Sequence, residues 1–241
     1  MARRLENRTA LITGANRGIG LAIAKAYAKE GARLLLAGRN EAALKLVQSD
    51  IGGDSRVLPV DLEDAGSVRK LADAVKAITP SLDIFVANAA SLGARVPLIR
   101  YPLDTWRQTF RINVEANLIL LGELDPLFRK SDSARIVMLS AGVARAGKAT
   151  TGSYAVSKAA LEAIVRIYAV ESAGTPIRMN IVNPGPTRTE MRARAAPDED
   201  PMTLKTPEDI APLFVELAAR ECQRQGDWIN ADVWFAERKA A

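Results

Sequence analysis

Thr9-Ala10-Leu11-Ile12-Thr13-Gly14-Ala15-Asn16-Arg17-Gly18-Ile19-Gly20 decides the fold. A short apolar run enters three closely spaced glycines, and a helical pattern then continues through Leu21, Ile23, Ala24, Tyr27 and Ala28 to Gly31. The order reads strand, glycine turn, helix. Glycines let the backbone approach a pyrophosphate closely, and the following helix aims its first N–H groups at the negative charge. The spacing is Gly-x3-Gly-x-Gly, not the Gly-x-Gly-x2-Gly of the common dinucleotide fingerprint. A turn that merely needs flexible residues is the alternative.

Outward from this stretch the alternation repeats. Arg33 to Ala37 precedes a helix over 41–48, Arg56 to Val60 precedes one over 68–78, and Leu82 to Ala87 precedes a long helix from Asp104 towards Leu121. Arg135 to Leu139, a helix holding Tyr154 and Lys158, Ile177 to Val182, a helix over 207–219 and a last stretch from Asp227 to Val233 complete the series. Pro59 marks a strand end or an irregularity. Unbroken apolar strands are those covered on both faces. The expectation is a single-domain α/β protein over 1–241, a doubly wound parallel sheet of Rossmann type in three α/β/α layers. In such a sheet ligands bind beyond the carboxyl ends of the strands. Gly14, Gly18 and Gly20 fall there after the first strand, Asn88 after the fourth, Ser140 after the fifth and Gly185 after the sixth.

At 241 residues the chain can bury a large core. No apolar run is long enough to span a bilayer, and the first residues turn polar where a signal peptide needs its apolar region, so a soluble, cytoplasmic protein is expected. With no histidine and one cysteine, Cys222, an internal disulfide, the usual zinc sites and a Ser-His-Asp triad are excluded. The formal charge is +5, with Lys and Arg interspersed among acids, which argues against nucleic-acid binding. The same excess assists capture of an anionic cofactor.

Chemistry is expected at Ser153-Tyr154-Ala155-Val156-Ser157-Lys158, which sets a phenol and an ammonium four residues apart in a helical pattern. One turn puts both on one face. A nearby cation favours the phenolate and draws its titration from about 10 towards neutrality. The pair is then a general acid/base without histidine. An ordinary exposed Tyr and Lys is the alternative.

Together with the glycine turn, the motifs Asp61-Leu62, Ala87-Asn88-Ala89-Ala90, Asn113, Tyr154-x3-Lys158 and Pro184-Gly185-Pro186-Thr187-Arg188-Thr189 resemble those of the short-chain dehydrogenase/reductase (SDR) family over nearly the whole chain. The resemblance implies an oxidoreductase moving hydride between nicotinamide and a carbonyl or alcohol, here an NADPH-dependent reductase of a ketone or 3-oxoacyl-type substrate. It implies a homotetramer or homodimer built on the helices of 104–121 and 151–173. Gly14, Asn16, Arg17, Gly18, Ile19, Gly20, Asn88 and Ala89 join the cofactor set, with Asn88 mainly stabilising the sheet. Asp61 and Leu62 meet the adenine, or Asp61 caps the next helix. Pro184, Gly185, Thr187 and Thr189 meet the nicotinamide, or the Pro-Gly pair only ends a strand. Lys158 depresses the Tyr154 pKa and holds the nicotinamide ribose. Asn113 orders a water chain to Lys158, or satisfies a helix kink.

Cofactor choice follows from charge. Gly38 stands where NAD-preferring relatives carry Asp, so no carboxylate repels a 2′-phosphate, and Arg39 and Arg17 offer charge-assisted donors. NADP(H) is expected, unless both arginines are merely solvated. The pattern breaks at Ala141, thirteen residues before Tyr154, where the family carries a catalytic serine. Ser140 is one residue early, and neighbours on a strand face opposite ways unless Gly142 bends the chain. Ser140 is shifted into the site, or Tyr154, Lys158 and Asn113 work alone, or the chain is a non-catalytic NADP(H)-binding relative acting through partner contacts. Residues 190–206 stand where the family has its substrate lid. Their Arg192 and Arg194 either meet an anionic substrate or face solvent. Trp228, Trp234 and Phe235 pack in the core or at a subunit contact.

Overall fold

The computed structural model describes residues 3–240. Seven strands form one parallel sheet: β1 (Thr9–Thr13), β2 (Arg33–Gly38), β3 (Ser55–Pro59), β4 (Ile84–Ala87), β5 (Arg135–Leu139), β6 (Arg178–Asn183) and β7 (Trp228–Asn230). Their order is β3-β2-β1-β4-β5-β6-β7. The winding reverses between β1 and β4, and a crevice opens above that pair. The flanking helices are α1 (Gly18–Lys29), α2 (Glu41–Ile51), α3 (Ala65–Ile78), α4 (Leu103–Phe110), α5 (Ala116–Lys130), α6 (Gly152–Glu171), α7 (Glu190–Ala195), α8 (Pro207–Ala218) and α9 (Ala231–Ala240).

Successive strand residues feed opposite layers. Leu11, Phe85, Ile136 and Met179 pack with side chains of α3, α5 and α6, whereas Ile12, Val86, Val137 and Val182 pack with those of α1 and α8. Burial on both faces is why β1, β4 and β5 read as unbroken apolar runs. Caps set the helix starts. Asn40 Oδ1 accepts from Ala43 N at 3.0 Å to begin α2, and Thr206 and Asp209 form a capping box ahead of α8.

Three expectations need correction. Asp61 does not cap the helix after β3; Asp64 does, accepting from Gly66 N at 2.8 Å, while Asp61 Oδ1 turns to Glu63 N at 3.0 Å. The long helix from Asp104 is interrupted by a π-helical turn over Arg111–Glu115, whose extra residue leaves Asn113 fully buried. The last apolar stretch leaves the sheet at Asn230, whose Oδ1 accepts from Asp232 N at 2.9 Å and starts α9. Pro59 is the final residue of the edge strand β3, a position that tolerates its missing N–H. Trp234 packs against the core on the α1 and α8 side, its Nε1 donating to Glu216 at 3.1 Å. Among the described residues no helix is long and apolar enough to cross a membrane.

Candidate active site

Above the carboxyl ends of β1, β4, β5 and β6 lies a cleft of about 1590 Å³. Ordinary small-molecule pockets hold about 300–1,000 Å³, so this one has room for a ligand and a second molecule beside it. Every residue that the sequence reading placed at the site lines it except Gly20 and Asn113.

The turn after β1 needs its glycines for different reasons. Gly14 (φ 67°) and Gly18 (φ 55°) occupy the left-handed region that L side chains avoid. Gly20 is needed for packing, because a Cβ there would overlap the Gly14 carbonyl oxygen and Asn88 Nδ2. Asn88 fastens β4 to the turn: Nδ2 donates to Thr13 O at 2.9 Å and Gly14 O at 3.2 Å, while Thr13 Oγ1 accepts from Asn88 N and Ala89 N, both at 3.1 Å. The wall beyond β2 carries Gly38 and an exposed Arg39 that has no hydrogen-bond or ion-pair partner among the described residues. Arg17, expected as the second free donor there, is instead ion-paired with Glu190 at the start of α7.

Tyr154 and Lys158 stand one turn apart near the start of α6, with Lys158 Nζ 5.9 Å from the centre of the Tyr154 ring. Burial pushes the Tyr154 phenol up to about 12 and pulls Lys158 down to about 8. The expected depression of the phenol is therefore not found: desolvation sets the direction of the shift. Lys158 Nζ donates to Leu139 O at 2.6 Å.

Asn113 is fully committed to holding the site together. Its Oδ1 accepts from Ser91 N at 2.7 Å, its Nδ2 donates to Ser91 O and Ser157 Oγ at 2.9 Å each, and its carbonyl accepts from Asn117 Nδ2 at 2.9 Å. The segment after β4 is thereby tied to α6, with both Nδ2 hydrogens of Asn113 engaged within the protein.

Ser140 points away from the expected role. Its Oγ donates to Glu162 Oε1 at 2.6 Å, and Glu162, buried on α6, also accepts from Trp228 Nε1 at 2.9 Å and Arg145 Nε at 2.9 Å. Strand alternation sends Ser140 to the α6 layer as it does Met138, so no bulge brings the hydroxyl to a substrate. Sequence reasoning passed over Glu162, although Tyr154, Lys158 and Glu162 recur every fourth residue on one helix face. It also passed over Asn183, the last residue of β6, whose Oδ1 accepts from Gly185 N at 3.1 Å.

The far wall is the turn after β6. Gly185 has φ 64°, and a Cβ there would overlap the Asp232 carboxylate at the start of α9. Thr187 Oγ1 donates to Pro184 O at 3.2 Å, and Thr189 Oγ1 caps α7 by accepting from Arg192 N at 3.1 Å. Arg192 forms a two-bond pair with Glu199 at 2.6 and 2.5 Å, while Arg194 is exposed with no partner. Among the described residues no group of His, Cys, Asp and Glu is placed to hold a metal ion.

Comparison with known proteins gives this geometry a lineage. Residues 8–200 match the family model for short chain dehydrogenases. The uncharacterised oxidoreductase YciK of Escherichia coli K12 is 39% identical over 227 residues, 92% of this chain and 90% of that one. A rhamnolipids biosynthesis 3-oxoacyl-[acyl-carrier-protein] reductase of Pseudomonas aeruginosa is 33% identical over 235 residues, 89% of this chain and 90% of the relative. The structure of a short-chain dehydrogenase of Shigella flexneri 2a complexed with NADP superposes with a TM-score of 0.92, at 38% identity over 96% of this chain and 100% of that one. One from Escherichia coli CFT073 complexed with NADPH superposes at 0.91, also at 38% identity, over 96% and 99% of the two chains. The glycine turn, the Tyr154–Lys158 pair and these matches lead to one conclusion: the chain belongs to the short-chain dehydrogenase family of oxidoreductases.

Proposed function

We propose that the protein is an NADPH-dependent carbonyl reductase, acting on a ketone or a 3-oxoacyl-type substrate. The observation that carries this reading is the pairing of a half-buried Tyr154 with a buried Lys158, one helical turn apart, on the wall of the cleft that begins at the glycine turn. NADP(H) fits the residues present: Gly14 just after β1 and Gly18 at the start of α1 present bare backbone, and Arg39, unpaired among the described residues, stands beside Gly38, with no carboxylate at that position. Asp61, Leu62, Pro184, Gly185, Thr187 and Thr189 all line the cleft, where the first two would meet the adenine and the other four the nicotinamide. The cofactor would supply a hydride to the carbonyl carbon.

The chain's own part is the proton. A phenol held up to about 12 keeps its hydrogen at neutral pH, so Tyr154 is a donor to an oxygen acquiring negative charge. Lys158, at about 8, is mostly cationic at pH 7 and stabilises the phenolate left behind. Residues 190–206 close over the substrate end as a lid, with Arg17–Glu190 joining lid and glycine turn. Leu118 on α5 and Val156, Ile167 and Val170 on α6 are exposed apolar side chains that support a homodimer or homotetramer through these helices.

NADPH oxidation followed over a panel of ketones, diketones, quinones and 3-oxoacyl thioesters tests the reading. Turnover with at least one carbonyl, abolished in Tyr154→Phe, is the expected result. A second reading draws on Ala141 and on the capture of Ser140 by Glu162, which together leave the usual serine donor missing. It is a non-catalytic NADP(H)-binding protein, and it predicts tight NADPH binding with no turnover on the whole panel.

A further inference from the structure

We infer that the side-chain amide of Asn183 is the donor that holds the substrate carbonyl oxygen, in place of the hydroxyl that Ala141 lacks. The inference rests on the reductase reading above. Asn183 ends β6 at 6% exposure and lines the cleft. β5 and β6 pair with Leu139 opposite Val182, and Ser140 N donates to Val182 O at 2.8 Å, so Asn183 stands beside the Ser140-Ala141-Gly142 segment.

The amide orientation is fixed by chemistry. Gly185 N is a donor, so the atom meeting it at 3.1 Å must be Oδ1, and Nδ2 takes the other direction. The carboxamide faces Gly142, where a Cβ would lie 3.6 Å from Nδ2 and 4.0 Å from Oδ1. Among the described residues Nδ2 has no hydrogen-bond partner, yet it is not sealed in, since the buried unsatisfied side-chain atoms there are Arg8 Nε and Arg135 Nε. A donor on a residue only 6% exposed, left open on the cleft wall, is available to a ligand acceptor.

Three hydroxyls close in sequence to Ala141 or Tyr154 are already engaged. Ser140 donates to Glu162, Thr151 to Lys148 O at 2.6 Å, and Ser153 pairs with the Tyr101 hydroxyl at 2.6 Å. In the reduction, hydride reaches the carbonyl carbon, the C=O π pair moves onto oxygen, and that oxygen takes the Tyr154 proton. An amide N–H aimed at the oxygen binds it most strongly when its negative charge is greatest.

The test measures NADPH oxidation on the carbonyl panel by wild type, Asn183→Asp and Asn183→Ala, with and without Ala141→Ser. Asn183→Asp keeps an acceptor for Gly185 N and removes the donor. Both single variants should lose about 100- to 1,000-fold in kcat while NADPH binding, read by nucleotide fluorescence, stays within about twofold. Adding Ala141→Ser to Asn183→Ala should recover about tenfold or more, because a hydroxyl then returns as donor. Wild-type kcat in Asn183→Asp overturns the inference alone, as does failed rescue by Ala141→Ser, which would assign the loss to the Pro184–Gly185 turn. A wild type silent on the panel overturns the reductase reading and this inference with it. A readout without turnover is the Asn183 side-chain ¹⁵N–¹H signal, assigned by its absence in Asn183→Asp. It should shift when cyclohexanone is added to protein saturated with NADP⁺, and an unmoved signal overturns the inference.

Discussion

The two ends of the sheet treat polar groups in opposite ways. At the amino ends, Arg8 is fully buried and donates to the carbonyls of Ala218, Ser133 and Asp83, the last at 3.2 Å. The Asp83 carboxylate accepts from Thr9 N at 2.9 Å and Ser131 Oγ at 2.6 Å. Arg135 at the head of β5 donates to Pro176 O at 3.2 Å and Arg220 O at 2.6 Å. Nearly all of this capacity is consumed in joining loops to strands. At the carboxyl ends Arg39 has no partner, Asn183 Nδ2 is open, and the glycine turn exposes bare backbone. The difference teaches where to look for function: polar capacity closed within the protein holds the fold, and capacity left open is available to a ligand.

If that division is right, substitutions at one end should leave the other's property untouched. Tyr154→Phe should lower kcat by about 10³-fold with no fall in melting temperature, as steady-state assays and thermal unfolding will show. Arg8→Met should do the reverse. Stripping several buried carbonyls of their donor and Asp83 of its counter-charge should cost about 3–5 kcal/mol in urea unfolding, with kcat of the folded fraction unchanged.

Lys158 sits at the boundary between the two behaviours, since it is buried at the site and titrates. Burial lowers its pKa from the ordinary 10.5 to about 8, so between these values the unfolded chain binds the extra proton and stability rises with pH. The destabilisation is full below about pH 8 and gone above about 10.5, amounting to about 3 kcal/mol at roughly 1.4 kcal/mol per pH unit. Unfolding of wild type and Lys158→Met at pH 7 and pH 10 should show the wild type gaining on the variant as pH rises. Tyr154, raised to about 12, works the other way but only above about pH 10. The smallest effect belongs to an exposed group. Arg39→Ala should weaken NADPH binding about tenfold and leave NADH binding unchanged, measured by titration of nucleotide fluorescence.

The sheet was legible because its central strands are covered on both faces, so Leu11, Phe85 and Val137 announce themselves without periodicity. The positions of Gly14, Gly18, Asn88, Ser140 and Gly185 around one cleft followed from the rule that ligands gather at strand carboxyl ends, whereas Asp61 and Thr187 were legible only through the family resemblance and Tyr154 and Lys158 through their helical spacing. What stayed hidden depends on three-dimensional competition. A buried arginine looks in sequence like any surface arginine, so Arg8 and Arg135 gave no signal. The π turn at Asn113 changes helix phase without changing composition. The sign of the Tyr154 shift comes from desolvation, which depends on how the folded chain covers the phenol and not on its sequence neighbours.

The Arg17–Glu190 pair carries a consequence for cofactor entry. Glu190 already presents an anion to the guanidinium beside the glycine turn, so an arriving phosphate exchanges partners with Arg17 instead of finding a vacant cation. Added salt weakens the incoming contact and the outgoing one together, and the two changes largely cancel. Arg39 has no such counterweight, and the ionic-strength dependence of NADPH affinity should therefore come from the ribose end of the cleft while the pyrophosphate end stays nearly level.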